Sequence, residues 1–389
     1  MLDDDLQELA RSVHAQAWRA LAGRAADLDR AQRFDAQTWA AIRELGLVPL
    51  SFDEKDGGAG GSALALVVAL EHVAYACAAA ALYPGTTIQV IRALLDHAAP
   101  SLRERVVPRL MSGDALACWA FTEPQTGSDP RQLRTRARPD GSGWVLDGQK
   151  AFISYAAVAE FALVFAVTEA GDVGAFLVGT DQPGWSPGPP IEVLAYGAAE
   201  ARPVHLDGVR VPADGLVGEL GAGFAVMLAG EALGKLRVAA INVGVAQRAL
   251  DEATQYARQR THRDTAIGAK FASVQALLAD MSAGVLAARA ALHDTAQRLD
   301  AGATDHAGHA GRVAALRLIT GRAATEVTSA ALQVCGAYGL TRELPVERLY
   351  REAKFYEVAQ GSLELQRVIA GKSVLARFDE TRFERWKDD

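Results

Sequence analysis

The sequence predicts an α+β protein, mostly α, with an N-terminal helical domain, a middle β-barrel or β-sandwich and a C-terminal four-helix bundle. Three observations predict this. Helical periodicity fills the first and last parts of the chain, and short β-rich runs separated by turn dipeptides fill the middle. The length of 389 residues also exceeds what one ordinary core needs. We therefore predict three domains, over residues 1–114, 115–222 and 223–389.

The N-terminal domain is predicted from helix start and stop signals. A short helix is predicted over residues 35–45, followed by a Gly- and Asp-rich loop. A long helix rich in Ala, Leu and Val is predicted from Ser62 to the Pro84-Gly85 pair. Because Glu71 lies near the middle of this apolar segment, a buried helix explains it better than a membrane span.

The middle domain is predicted from turn dipeptides. Asp140-Gly141, Asp147-Gly148 and Gly171-Asp172 separate short runs of β-branched and aromatic residues. Asp147-Gly148 predicts a hairpin whose second strand ends at 152–154. Closely spaced strands without helices between them favour a small barrel or sandwich.

From Gly223 onward the helical period returns and predicts the C-terminal bundle. Apolar residues recur on one face of each of two long segments. They are Val274, Leu277, Met281, Val285, Ala288 and Leu292 in the first segment, and Val313, Leu316, Ala323, Val327 and Val334 in the second.

Composition excludes several classes of function. The net charge of −7 argues against a nucleic-acid partner, since phosphate binding requires clustered Lys and Arg. The three cysteines have neither zinc-ligand nor disulfide-framework spacing, so no metal site is predicted and a reducing cytoplasm is expected. The first residues are acidic and amphipathic, unlike a signal peptide, and no membrane association is expected.

Two segments of the middle domain carry hydroxyls beside turns. Residues 119–129 read Trp-Ala-Phe-Thr-Glu-Pro-Gln-Thr-Gly-Ser-Asp, which predicts a strand followed by a turn. That turn offers backbone N–H groups and the hydroxyls of Thr122 and Ser128 to a polar planar ligand or a phosphate, although an ordinary hairpin exit is as good an explanation. Residues 145–154, taken alone, predict only a hairpin that ends in an aromatic ring and a hydroxyl.

Together and at this spacing, the two segments resemble the acyl-CoA dehydrogenase superfamily. That family has a Thr-Glu-Pro-x-x-Gly-Ser-Asp segment followed by Leu-x-Gly-x-Lys-x-x-Ile-Thr/Ser. The resemblance continues through residues 209–213, 218–224, 333–339 and 345–348, and so covers nearly the whole chain.

The resemblance implies FAD as the cofactor and an acyl thioester as the substrate. The residues it places against FAD are Trp119, Phe121, Thr122, Gly127, Ser128, Phe152, Ile153, Ser154, Arg260, Gln333, Gly336, Ala337, Ser362 and Glu364. Among them, Arg260 and the 333–337 run reach the FAD of a neighbouring subunit. Ser128, Arg237 and Gly361 are placed against the thioester ligand, with Arg237 near the CoA nucleotide.

Three departures from the family pattern concern FAD. The Arg-x-x-Phe-Gly motif reads Arg-Thr-His-Arg-Asp from Arg260 onward, so its Phe and Gly are absent. A glutamine that usually helps to hold FAD is replaced by Ala272, and the second glycine of the Gly-Gly-x-Gly run is Ala337. These changes predict weaker FAD binding without excluding it.

A fourth departure concerns the reaction. In the family a glutamate removes the α-proton of the thioester, and this chain has Gln360 at that position. An amide cannot usefully accept a proton, and loss of a positioned base costs about 10²–10⁴ in rate. The alternative base position of some members is Leu236 here. Glu357 and Glu231 are candidates for a displaced base, although each is more often a solvated helix charge.

Three functions stay open from the sequence. One is oxidation of an acyl thioester, on CoA or a carrier protein, with electrons passed to an electron-transfer flavoprotein. Another is a flavin monooxygenase or oxidase on the same fold, with oxygen as the acceptor. The third is a non-catalytic subunit that completes the FAD site of a paralogous partner. The cross-subunit residues predict a homodimer, a homotetramer or a heteromer with a paralogue.

Overall fold

The computed structural model describes residues 2–126, 132–302, 306–376 and 378. It confirms the predicted class: a mostly helical chain with a sheet domain between two groups of helices.

The N-terminal group packs around one buried helix. Its helices are α1 (Asp4–Leu21), α2 (Ala25–Ala31), α3 (Ala36–Glu44), α4 (Ala63–Ala81), α5 (Gly85–His97) and α6 (Pro100–Met111). α4 begins as predicted, because the hydroxyl of Ser62 accepts a hydrogen bond from the backbone N–H of Ala65. α4 is long and apolar enough to span a membrane, but 83 % of its apolar stretch is buried inside this chain, as in a core helix.

The described strands of the middle domain form one eight-stranded sheet. Its strands are β1 (Ala117–Ala120), β2 (Arg136–Asp140), β3 (Gly143–Ile153), β4 (Phe161–Val167), β5 (Val173–Gly179), β6 (Trp185–Pro187), β7 (Arg202–Val211) and β8 (Leu216–Val217). Their order is β6-β7-β3-β2-β4-β5-β8, and β1 pairs with β4 in parallel. A short two-stranded ribbon, β9 (Thr261–His262) with β10 (Thr265–Ala266), lies outside this sheet.

The hairpin predicted at Asp147-Gly148 is wrong. β3 runs straight through this dipeptide and pairs with β7, with an irregularity in register between Leu146 and Gly148. A Cβ atom at Gly148 would lie 2.7 Å from Cα of Thr135, so the glycine permits a close approach of β3 to the residue that precedes β2. Asp147 accepts a hydrogen bond from the backbone N–H of Gly208, which uses its carboxylate across the sheet instead of in a turn.

The C-terminal group contains three long helices and two shorter ones. They are α7 (Gly223–Gln259), α9 (Ala272–Asp300), α10 (His306–Cys335), α11 (Val346–Val358) and α12 (Leu363–Ala376), with one turn of helix, α8 (Ile267–Lys270), before α9. The predicted stripe of α9 is buried at Met281, Val285 and Leu292. Only 17 % of the most apolar stretch of α9 is buried within the chain, and Leu286 on it is 69 % exposed.

A buried ion pair fixes the middle domain beside β1. Lys150 on β3 donates to a carboxylate oxygen of Glu123 at 2.8 Å and to the carbonyl of Phe165 at 2.6 Å. The Glu123 carboxylate also accepts hydrogen bonds from the backbone N–H groups of Arg134 and Thr135. Both charged side chains are at most 1 % exposed. The segment after β1 is therefore attached to the sheet by charge-assisted hydrogen bonds.

We expect Lys150→Met to lower the free energy of unfolding by about 3–5 kcal/mol, because it leaves Glu123 buried and unpaired. Adding Glu123→Gln should recover part of that loss, since the double variant buries no charge. The matched control is Arg210→Gln, which removes an ion pair to Asp140 whose side chains are 77 % and 44 % exposed, and should cost less than about 1 kcal/mol. Urea unfolding followed by circular dichroism measures all three, and equal losses in both single variants would contradict the expectation.

Candidate active site

Four parts of the chain meet at one place between the sheet and the C-terminal helices. Trp119 of β1 packs on α7, because a Cβ atom at Gly230 would lie 2.5 Å from Cη2 of the indole. The turn after β1 is joined to the end of β3 by a hydrogen bond of 2.8 Å from the backbone N–H of Ala151 to the carbonyl of Thr122. The connection between α11 and α12 then brings Gln360 to the same stretch of α7, described below.

The end of β3 turns an aromatic ring towards solvent. Phe152 has φ +57° and Tyr155 has φ +63°, which is left-handed backbone that non-glycine residues rarely adopt. The ring of Phe152 is 61 % exposed, whereas Ile153 between them is buried. The strand end therefore presents the ring of Phe152 to solvent, and the half-buried Ser154 lies two residues further along the chain.

The connection that carries Gln360 reverses direction within two residues. Gln360 has φ +60° and Gly361 has φ +78°, so the chain turns sharply after α11. The hydroxyl of Ser362 then accepts a hydrogen bond from the backbone N–H of Leu365 and caps α12. Ser362 and Gly361 thus shape the turn beside the site, as well as being predicted ligand contacts.

The Gln360 amide is directed at a carboxylate on α7. Its Nε2 lies 3.4 Å from Oε1 of Glu231. Gly234, one turn along α7, permits this approach, since a Cβ atom there would lie 3.2 Å from Nε2 of Gln360 and 2.5 Å from Nε2 of Gln89. Gln360, which the sequence resemblance places at the family's base position, and the carboxylate of Glu231 are therefore neighbours in space, although they lie 129 positions apart in the sequence.

Glu231 lies in a partly closed and cationic environment. Its side chain is 19 % exposed, and its Oε2 is 3.8 Å from Nζ of Lys235. Burial raises the pKa of Glu231 above its ordinary value, and the charges of Lys235, Arg317 and Arg237 and the hydrogen bond from Gln360 only partly oppose this. The carboxylate is consequently a stronger base than an exposed glutamate.

Arg317 holds the C-terminal end of α11. Its side chain is completely buried, and one guanidinium nitrogen donates to the carbonyls of Tyr356 at 2.9 Å and Ala359 at 3.1 Å. These are the terminal carbonyls that lack partners inside a helix. Burial lowers the pKa of Arg317 to about 10, with Tyr356 and Glu231 acting in the opposite direction. The backbone immediately before Gln360 is therefore fixed from α10.

Arg237 lies in the interior of the same region. It is 4 % exposed, and its guanidinium occupies the space that a side chain at residue 85 would fill, 1.1 Å from the Cβ position of Gly85. Burial lowers the pKa of Arg237, opposed by Tyr356, Tyr155 and Glu231. Contact of Arg237 with the CoA nucleotide stays a prediction.

The structure distinguishes between Glu357 and Glu231, the two candidate bases that the sequence left open. Glu357 forms an ion pair with Lys354. Burial raises the pKa of Glu357, but the hydrogen bonds from Lys354 and Thr325 outweigh it and the net direction is downward. Leu236, which the sequence resemblance places at the alternative base position, is fully buried in α7. Glu231 is the candidate that lies against Gln360.

Five of the remaining predicted ligand residues lie elsewhere on the surface of the chain. Arg260 follows the last residue of α7, roughly 35 Å along the helix from Arg237 at 1.5 Å per residue. Gln333, Gly336 and Ala337 are exposed at the end of α10. Glu364 is exposed and pairs with Arg367. Gly127 and Ser128 lie outside the described residues. Contact of Arg260 and the 333–337 run with a neighbouring subunit's FAD stays a prediction.

Sequence reasoning missed two residues of this region. Arg317 stands in the run Ala-Ala-Leu-Arg-Leu-Ile, where a lone charge inside an apolar stretch is a signal for a buried partner. Gln89, which is 1 % exposed and donates to the carbonyl of Gly230, gives no comparable signal in the sequence.

Comparison with known proteins identifies the same family along nearly the whole chain. The acyl-CoA dehydrogenase N-terminal domain model matches residues 3–114, the middle domain model matches 118–209, and the C-terminal domain model matches 221–375. A probable acyl-CoA dehydrogenase of Mycobacterium leprae, FadE25, is 33 % identical over 379 residues, which are 96 % of each chain.

Two solved structures share the fold. The butyryl-CoA dehydrogenase of Megasphaera elsdenii superposes with a TM-score of 0.91 at 27 % identity, over 96 % of this chain and 99 % of that one. A prolyl acyl carrier protein oxidase superposes with a TM-score of 0.90 at 25 % identity, over the same shares. The chain therefore belongs to the acyl-CoA dehydrogenase family, and it is a flavoprotein oxidoreductase whose cofactor is FAD.

Proposed function

We propose that this protein oxidises the α,β bond of an acyl thioester with FAD as the electron acceptor and with a base displaced from the usual position. The observation that carries the proposal is the convergence described above, of the Trp119–Thr122 segment, the end of β3, Gln360 and a carboxylate on α7. The names of two similar proteins, a butyryl-CoA dehydrogenase and a prolyl acyl carrier protein oxidase, support a thioester on CoA or on a carrier protein.

The described residues fit a flavin. The exposed ring of Phe152, on strained left-handed backbone, offers a planar apolar surface, and Ser154 beside it offers a hydroxyl. Thr122 lies next to this strand end, because its carbonyl accepts a hydrogen bond from the backbone N–H of Ala151. Bound there, FAD would supply the two-electron redox chemistry.

The chain's own contribution is placement and proton transfer. The Glu123–Lys150 pair fixes the turn that carries Thr122, and Arg317 fixes the turn that carries Gln360. We therefore assign the cofactor to the side of the site formed by the sheet domain. The thioester is assigned to the side formed by the C-terminal helices. Removing a proton from the α-carbon requires a basic group on the helical side.

We expect Phe152→Ala to raise the dissociation constant of FAD about tenfold, since an aromatic contact is worth about 0.5–1.5 kcal/mol beyond the area it buries. Val158→Ala is the matched control, because Val158 is 41 % exposed and lies six residues away in the same segment. Quenching of FAD fluorescence on titration into apoprotein measures both constants. Equal affinities in the two variants would contradict the placement of the flavin against Phe152.

The reaction is tested by anaerobic titration of the FAD-bound protein with saturated acyl-CoA and acyl-carrier-protein thioesters of graded length. We expect bleaching of the oxidised flavin band and one equivalent of enoyl thioester per flavin. Admission of oxygen then distinguishes the acceptors: rapid reoxidation with hydrogen peroxide indicates an oxidase, and slow reoxidation indicates a protein acceptor. Absence of bleaching with every thioester would contradict the proposed reaction and favour the non-catalytic subunit.

Association of subunits is proposed from the exposed face of α9. We expect Leu286→Glu to convert an oligomer into a smaller species, because it places a charge on an apolar face that the chain itself leaves uncovered. Leu194→Glu is the matched control, since Leu194 is 51 % exposed but lies outside the C-terminal helices. Light scattering coupled to gel filtration gives the mass of each, and a monomeric wild type would contradict the proposal.

A further inference from the structure

We infer that Glu231 is the proton acceptor for the α-hydrogen of the substrate and that Gln360 is a positioning residue for it. The inference rests on the proposed function and assigns the base within that site. It begins from the contact of 3.4 Å between Nε2 of Gln360 and Oε1 of Glu231. A carboxylate thus lies one side chain away from the position at which the family places its base.

The two oxygens of Glu231 have different surroundings. Oε1 accepts from the Gln360 amide, while Oε2 faces Lys235 across 3.8 Å, beyond hydrogen-bond distance. Oε2 therefore keeps a lone pair for an incoming proton. Because 19 % of the side chain is exposed, Glu231 is not completely enclosed by the helices.

Glu352 on α11 is a second acid whose pKa is raised, but it is paired with an arginine. Glu352 lies eight positions before Gln360 in the sequence and is paired with Arg348 at 3.5 Å. Burial raises the pKa of Glu352 to about 7, with Arg348 opposing and Asp29 reinforcing, so its electrostatic neighbours belong to the ion-pair network with α2. A raised pKa alone does not select a base, and proximity to Gln360 favours Glu231.

Gln360 has a role in this arrangement that a glutamate could not fill in the same way. Its amide donates to Glu231 and so orients the carboxylate, whereas a second carboxylate at 3.4 Å would repel it. Arg317 fixes the backbone before Gln360 through the carbonyls of Tyr356 and Ala359. Arg317 therefore holds the end of α11, α11 positions Gln360, and Gln360 orients Glu231.

The proton and electron balance of the step is complete with FAD as the oxidant. The α-carbon loses a proton to Oε2 of Glu231, and the electron pair of that C–H bond forms the α,β double bond. The β-carbon loses a hydride, which oxidised FAD would accept when it is bound. Glu231 ends protonated and returns its proton to solvent through its exposed side.

The direct test is exchange of α-hydrogens with deuterated water, using FAD-bound protein and 3-thia-acyl-CoA thioesters. These probes carry sulfur at the β-position, so no hydride can leave and the exchange reports the base alone. We expect Glu231→Gln to slow exchange by about 10²–10⁴-fold. Glu357→Gln, the matched control on α11, should stay within about twofold of wild type, because Glu357 is paired with Lys354. FAD content and thermal unfolding confirm that each variant is folded.

The pH dependence gives a second readout. Wild-type exchange should fall as the pH drops through the raised pKa of Glu231, which is faced by Lys235 and Arg237 on α7, Arg317 on α10 and Gln360. Glu231→Asp should keep a weaker exchange with an acidic limb, and Glu231→Gln should have no such limb.

The outcomes separate the two proposals. Wild-type protein that exchanges and reduces flavin, with Glu231→Gln equal to it, overturns the assignment of Glu231 and leaves the reaction standing. Wild-type protein that neither exchanges nor reduces flavin with any thioester overturns the proposed reaction and the base together. Loss in Glu231→Gln and in Glu357→Gln alike also overturns the assignment.

Discussion

The buried guanidinium of Arg317 is the constraint on which the helical side of the site depends. A helix end leaves carbonyls without partners, and here two of them, of Tyr356 and Ala359, are bound by a side chain from α10. With that end fixed, the left-handed turn at Gln360 and Gly361 has a defined starting point. The contact between Gln360 and Glu231 follows from it, and so does the environment of the carboxylate.

The sheet side is fixed by a second buried charge in a comparable way. Lys150 on β3 binds Glu123 in the segment after β1, and this holds Thr122 beside the strand end that carries Phe152. Each arrangement buries a cation beside backbone carbonyls or a carboxylate, because an unpaired charge in the interior is costly. Lys150 is paired with a carboxylate, whereas only one nitrogen of the Arg317 guanidinium donates a hydrogen bond, and its Nε and Nη1 have no hydrogen-bond partner among the described residues. α7 lies between the two sides and meets Trp119 at Gly230 and Gln360 at Gly234.

Much of this could be predicted from the sequence, since helix periodicity and turn dipeptides depend on local chemistry. The order of helices and strands, the start of α4 at Ser62 and the stripe of α9 followed from such patterns. The hairpin prediction at Asp147-Gly148 was wrong because a glycine suits a turn but also permits a strand to approach Thr135 closely. The Glu231–Gln360 contact could not be predicted from local sequence patterns, because it joins residues 129 positions apart.

The central claim is that Glu231, and not another group, faces the α-carbon. The most direct measurement is a crystal structure of the FAD-bound protein with a 3-thia-acyl-CoA thioester. The account predicts a carboxylate oxygen of Glu231 at about 3–3.5 Å from the α-carbon, with the Gln360 amide still bound to the other oxygen. An α-carbon that lies beyond about 5 Å from Glu231 and within contact of a different base would contradict it.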